Sequence, residues 1–107
     1  MPQTVFGTDE LLRATAPATG DTFVFEQSAR SFHATVRGAG AVAAVIKLQV
    51  SNEESATDGF IDLATITLSG TGTAADGFTS TAPWRFVRAQ LVSISGTGAE
   101  ARLTAGV

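Results

Sequence analysis

Residues 32 to 50 carry the clearest alternation of apolar and polar side chains in the chain. Apolar residues occupy every second position from Phe32 to Val36, and the same phase resumes from Val42 to Val50. A period of two is typical of a β-strand with one buried face. The glycine-rich residues 38–40 between the two runs predict a tight hairpin turn. A long hairpin of this kind must bury its apolar face against a second layer.

The remaining segments repeat this pattern of short strands separated by turn residues. In residues 60–68 the apolar phase slips near Ala64, which predicts a β-bulge. Glycine turns are expected again at residues 69–72 and 96–98. Strands with turn signals at such spacing predict an all-β domain, a two-sheet antiparallel β-sandwich of the jelly-roll type with seven or eight strands. The strand segments are 22–25, 32–36, 42–50, 60–68, 73–80, 84–94 and 99–105.

The first twenty residues are the least regular part of the sequence. Residues 8–13 could form one helical turn with Thr8 as its N-cap, but a helix this short does not stand alone in water. We therefore expect an extended N-terminal arm over residues 1–20 and a β-sandwich domain over residues 21–107. Leu12 would pin the arm to the sheet. Removal of residues 1–16 is then expected to leave the domain folded.

Composition suggests that part of the surface is covered by a partner. The chain has 107 residues, enough for one domain, and only 16% of them are charged. Small free-standing domains usually carry about a quarter to a third charged residues on their surface. Apolar residues also occur on both faces of residues 86–92. We expect a homo-oligomer, either a dimer or a trimer.

Several classes of partner are disfavoured by charge and hydropathy. A formal net charge of −3 does not suit nucleic acid, which selects basic surfaces. The sequence has no apolar run long enough to predict a membrane span, and its first residues lack the pattern of a secretory signal. It has no cysteine, so no disulfide or thiolate metal site is expected. The lack of cysteine fits a cytosolic domain as well as a protein released by lysis, and it does not separate the two.

Candidate chemistry is sparse along the chain. His33, the single histidine, lies on the polar phase of a strand, without the nucleophile and orienting acid that a general base requires. The acids Glu53, Glu54 and Asp58 share one loop whose spacing does not match an EF-hand, which favours a solvated loop. We therefore predict no catalytic, cofactor or metal residues and no enzyme activity.

Partner contacts are the more promising class of site. Trp84 stands beside arginines, and tryptophan and arginine dominate interface hot spots. The alternative is that Trp84 caps the core while the arginines extend along the surface. The arm adds four apolar residues that could dock on another protein. The candidate partner-binding residues are Val5, Phe6, Leu11, Leu12, Trp84, Arg85 and Arg88.

Residues 32–104 resemble small virion proteins of tailed bacteriophages. The stretches that carry the resemblance are ATVRGAGAVAAVIKLQVSNE, GFIDLATITLSGTG and DGFTSTAPWRFVRAQLVSISGTGA. Their order and turns are similar to those of head decoration, or cement, proteins. The resemblance implies a β-sandwich that sits on the capsid exterior and self-associates. It transfers no catalytic residue, and the first twenty residues fall outside it.

The function that this resemblance implies is mechanical. As a capsid decoration protein made in the host cytoplasm, the chain would bind the major capsid protein on the outside of the virion head and stabilise the shell. The alternative is a receptor- or glycan-binding domain of a phage tail or fibre, which would need an exposed aromatic or polar cleft near Trp84. A small hydrolase is the least supported possibility, with one histidine and no cysteine.

Overall fold

The described residues of the chain form an all-β structure. A computed structural model describes residues 3–5, 8–25, 30–53, 59–80 and 84–106, and no helix occurs in these ranges. The all-β prediction is therefore confirmed. The strands are β1 (Gln3–Val5), β2 (Thr8–Ala14), β3 (Ala18–Thr19), β4 (Phe23–Phe25), β5 (Arg30–Ser51), β6 (Ile61–Ser80) and β7 (Phe86–Gly106).

All seven strands belong to one hydrogen-bonded sheet. The order across it is β1-β4-β7-β5-β6, and β2 and β3 also pair with β7. The long strand β5 is central and runs antiparallel to both β6 and β7. The short pair β1–β4 is parallel. A division into two sheets, and the jelly-roll topology that depends on it, are not confirmed.

The predicted glycine hairpin turns are wrong, because the glycines lie inside continuous strands. β5 runs through residues 38–40, β6 through 69–72 and β7 through 96–98. The three glycine segments lie side by side across the sheet. Ala39 of β5 pairs with Thr97 of β7, and the register between β5 and β6 shifts between residues 37 and 41 of β5. Glycines with positive φ allow each strand to change direction there: Gly40, Gly72, Gly96 and Gly98. We call this line of bends the glycine corner.

The core lies on one face of the sheet, on both sides of the glycine corner. Phe32 precedes the corner in β5 and Leu48 follows it, yet both belong to one buried apolar cluster. A single sheet thus covers a core for which the alternation predicted two layers. The predicted bulge in β6 is confirmed, because Leu48 pairs with Ala64 and Gln49 with Asp62, which leaves Leu63 as the extra residue.

The N-terminal segment is extended, as expected, but it is a strand of the sheet. β2 pairs with β7 over residues 101–106, and its register shifts between Glu10 and Leu12. That irregularity allows the consecutive leucines Leu11 and Leu12 both to point inward, where they are 3% and 5% exposed. Removal of residues 1–16 would therefore take away part of the core, and not only a loose arm.

Candidate functional site

Two of the residues predicted to dock on a partner lie in the core. Leu11 and Leu12 pack with the apolar residues of β5 and β7, so their side chains are not offered at the surface. Val5 lies in β1, in register with Phe25 of β4. Phe6 lies outside the described residues. Leu11 and Leu12 are therefore not available as the exposed docking residues that the sequence suggested.

The structure separates Trp84 from the arginines that follow it. Trp84 is partly buried against the core, and its carbonyl oxygen accepts a hydrogen bond of 2.9 Å from Nη1 of Arg30. Arg30 is itself buried, and burial lowers its pKa. Arg85 is exposed, with its guanidinium carbon 5.7 Å from the ring centre of Phe86. This placement fits the interpretation of Trp84 as a core cap.

Arg88 joins a polar cluster on the outer face, where the C-terminal half of β5 meets its neighbours. Its Nε donates to Oε1 of Gln49 at 2.8 Å, and its guanidinium carbon lies 4.1 Å from the ring centre of Phe60. The Gln49 amide donates to Asp62 at 3.0 Å, and Lys47 forms an ion pair with Asp62 at 3.0 Å. The hydrogen bonds from Gln49 and Lys47 lower the pKa of Asp62.

The hydrophobic pattern alone did not predict this cluster, but the register of β5 with its two neighbours does. Gln49 is in register with Asp62 on one side and Arg88 on the other. The bulge at Leu63 sets the first of these pairs. Locating the bulge to one residue and pairing β5 with both neighbours would have brought the three side chains together from the sequence alone.

The end of the sheet next to this cluster carries an exposed apolar residue and an exposed cation. Ile61 is 53% exposed and is in register with Val50 near the end of β5. Arg85 lies at the same end, where its backbone nitrogen is 3.4 Å from Oδ1 of Asn52. We call Asn52, Phe60, Ile61 and Arg85 the end surface.

A shallow groove lies on the outer face at the other end of β5. It has a volume of about 190 Å³ and is lined by alternate residues of β5 and β7, namely His33, Thr35, Arg37, Arg102 and Thr104. His33 is exposed, in agreement with its predicted place on the polar phase. Small-molecule sites usually measure about 300–1,000 Å³, so this groove would hold at most a small polar group.

Beside the groove, an ionic network links β2 to β7. Both Arg13 and Arg102 bind the carboxylate of Glu10, with distances of 3.0 Å and 2.8 Å to Oε2. Arg13 also lies 3.7 Å from Glu100. The hydrogen bond from Arg13, followed by that from Arg102, lowers the pKa of Glu10 against the opposing effect of its partial burial.

No metal-binding group is found in the described ranges. Within them, no three His, Cys, Asp or Glu side chains come together in a way that could hold an ion. The same residues include no helix of the length and apolarity needed to cross a membrane. The polar side chains described above pair mainly across neighbouring strands, an arrangement that stabilises a sheet.

A further surface feature is the open edge of β6. Among the described residues β6 pairs with β5 alone, and its outward residues are exposed. We call residues 64–79 the β6 edge. An unpaired strand presents a row of backbone donors and acceptors to which another chain can bind.

Comparisons with known proteins show the fold and leave the family open. No protein-family model matches the chain, and no curated protein matches its sequence. The chain is structurally similar to the SPBc2 prophage-derived protein YomS, known from a crystal structure, with a TM-score of 0.53 and 18% sequence identity. The similarity covers 92% of this chain and 88% of that one. The chain therefore shares its fold with a prophage-derived protein over nearly its whole length.

Proposed function

We propose that the protein is a non-enzymatic structural component of a phage virion, a decoration protein that binds the capsid exterior and stabilises the shell. The observation that carries this proposal is the fold shared with a prophage-derived protein across 92% of the chain. The resemblance of residues 32–104 to head decoration proteins supports the same assignment. The partner would be the major capsid protein.

The end surface is the best-supported contact with the capsid. It combines the most exposed large apolar side chain of the described residues, Ile61, with the exposed cation Arg85 and the ring of Phe60. Interface cores are enriched in apolar, aromatic and arginine side chains. A contact made by so few residues is weak on its own, and binding of many copies to one shell strengthens it by avidity.

The location is tested by counting copies in purified virions of the encoding phage with quantitative mass spectrometry. A decoration protein is expected on the order of hundreds of copies per particle, as a repeating shell contact requires. A handful of copies would indicate a tail component and overturn the decoration role. Absence from purified particles would overturn the virion assignment.

The contact is tested with shells that lack the protein. The double variant Ile61→Ser with Arg85→Glu is expected to lose shell binding in a co-sedimentation assay. The matched control is Val92→Ser with Arg37→Glu, which makes the same kind of change at another exposed apolar residue and another exposed arginine. Equal binding of the two variants would refute the end surface as the contact. Failure of the unaltered protein to bind would refute the shell role.

The groove favours one second candidate, a receptor- or glycan-binding domain of a tail or fibre. Its cations and hydroxyls, from Arg37, Arg102 and two threonines, suit an acidic sugar. Its volume is below the usual range for ligand sites, and Trp84 lies against the core and does not form an open stacking platform. Glycan-array binding that disappears in Arg37→Ala would favour this candidate over decoration.

A further inference from the structure

The β6 edge is long and carries little of the usual protection. Proteins commonly block an open edge with lysine, proline, an inward charge or a very short strand. β6 is 20 residues long, and residues 64–79 contain no lysine or proline and a single charged residue, Asp76. The carboxylate of Asp76 already accepts a hydrogen bond of 2.8 Å from the backbone of Gly77.

The outward side chains along this edge are all small. These positions hold threonine, serine, alanine and glycine, and strand side chains stand on the faces of the sheet and not along its edge, so a second backbone can approach to the spacing of a sheet. All of them are exposed. In order, they are Thr65, Thr67, Ser69, Thr71, Thr73, Ala75, Gly77 and Thr79.

We propose that the β6 edge pairs antiparallel with the β6 edge of a second copy, about a two-fold axis at Thr71. The glycine corner divides the edge into two arms, so a straight strand from another protein could follow only one arm. A second copy of β6 has the same bend, and an axis perpendicular to the sheet at Thr71 aligns the two corners. This inference does not depend on the capsid role.

The opposite border of the sheet is a poorer partner for β6. It is built from β2, which has 7 residues, together with the 2-residue β3 and the 3-residue β1, which covers β4. Within this border, β2 also carries the ion pair between Glu10 and Arg13. A head-to-tail contact would leave most of the β6 edge open, whereas pairing of β6 with its own copy matches the two lengths.

The two-fold register gives compatible neighbours. Thr73 lies opposite Ser69 of the second copy, and Ala75 lies opposite Thr67 of the second copy. Opposed hydroxyl residues stabilise antiparallel strands. Asp76 lies opposite Ile66 of the second copy, so the two copies of Asp76 do not meet.

The oligomeric state is tested by light scattering coupled to size-exclusion chromatography. The unaltered protein is expected as a dimer, and the double variant Thr67→Lys with Thr73→Lys as a monomer of half the mass. In the proposed register the lysine introduced at position 73 would stand diagonal to the lysine introduced at position 67 of the other copy, within range of like-charge repulsion. Circular dichroism must show that the variant keeps its strand signal.

A matched control adds the same two charges away from β6. Thr15→Lys with Thr97→Lys changes two exposed threonines and is expected to remain a dimer. A monomeric unaltered protein, or a dimer that survives the β6 substitutions, would overturn the proposal. Loss of the dimer in both double variants would indicate a general charge effect and overturn it as well.

The register is tested by disulfide formation, because the sequence has no cysteine of its own. A mixture of Ser69→Cys and Thr73→Cys chains is expected to form a cross-linked dimer under oxidation, since opposed Cα atoms lie about 4.5–5.5 Å apart. Each variant alone is expected to cross-link at least ten-fold less. A larger ring without the mixed cross-link would mean head-to-tail pairing and overturn the two-fold arrangement.

Discussion

Arg102 of β7 binds Glu10 of β2 through two nitrogens, with Nε 3.0 Å and Nη2 2.8 Å from Oε2. Arg13 binds the same carboxylate from within β2, with Nε 3.0 Å from Oε1. Both arginines thus bind one carboxylate, which links β2 to β7. These ion pairs hold β2 against β7 at the surface, while Leu11 and Leu12 of the same strand pack in the core.

Replacing Glu10 with glutamine is expected to lower the free energy of unfolding by about 0.5–1 kcal/mol at neutral pH, the scale of surface ion pairs. The pKa of Glu10 is lowered in the folded protein. Its stabilising contribution is therefore complete above its ordinary pKa and is lost as the pH falls through the lowered one. Urea unfolding of both proteins from about pH 7 to about pH 2 measures this, and the difference should shrink toward the acid end.

High salt provides the control for this prediction. The ion pairs are partly exposed, so added salt should reduce the difference between Glu10→Gln and the unaltered protein. A difference that stays constant across both pH and salt would contradict an electrostatic role for Glu10.

The sequence was sufficient to predict the alternating segments of β5, β6 and β7, their buried face and one irregularity. Alternation from Phe32 to Val50 places every second side chain in the core, and the phase slip near Ala64 marks the bulge. It was not sufficient to distinguish a glycine turn from a glycine bend. Both need positive φ, and only long-range pairing of β5 with β6 and β7 decides whether the strand reverses or continues.

Replacing Gly96 with alanine tests the glycine corner. Gly96 has a φ of 123°, and an added Cβ would lie 2.8 Å from Cγ1 of Val42. Gly40 also has positive φ, at 69°, but an added Cβ there meets nothing. We expect Gly40→Ala to cost about 1–2 kcal/mol through backbone strain alone, and Gly96→Ala to cost about 1–3 kcal/mol more through overpacking. Urea denaturation midpoints measure both, and equal costs would argue against close packing at the corner.

The leucine pair of β2 gives a test of the N-terminal strand. Leu11→Ala and Leu12→Ala should each cost about 2–5 kcal/mol, as for other buried leucines. The control is Thr15→Ala, at an exposed position just after β2, which should change stability by less than about 0.5 kcal/mol. Thermal or urea unfolding measures all three. If the leucine variants matched the control, Leu11 and Leu12 would not anchor β2 in the core.

The structure places the candidate contact residues in different surroundings, for a physical reason. Trp84, Arg85 and Arg88 are close in sequence, but Trp84 packs inward while Arg88 lies on the outer face of β7 against Phe60. Proximity along the chain does not place side chains on one surface when a strand begins between them. Ile61 was assigned to a strand face, and it is exposed at the first position of β6, whereas Ile66 and Leu68 farther along the same strand are buried.

Trp84→Ala decides between the two interpretations of that residue. Because Trp84 is partly buried against the core, we expect a loss of about 2 kcal/mol in the free energy of unfolding, below the roughly 3–5 kcal/mol typical of a fully buried ring. Trp84→Phe is the matched control and should recover most of that loss. In the unaltered protein, Trp84 is the one tryptophan, so its fluorescence on urea unfolding measures the reference stability, while circular dichroism follows the variants. Unchanged stability of Trp84→Ala together with lost shell binding would instead assign Trp84 to the partner interface.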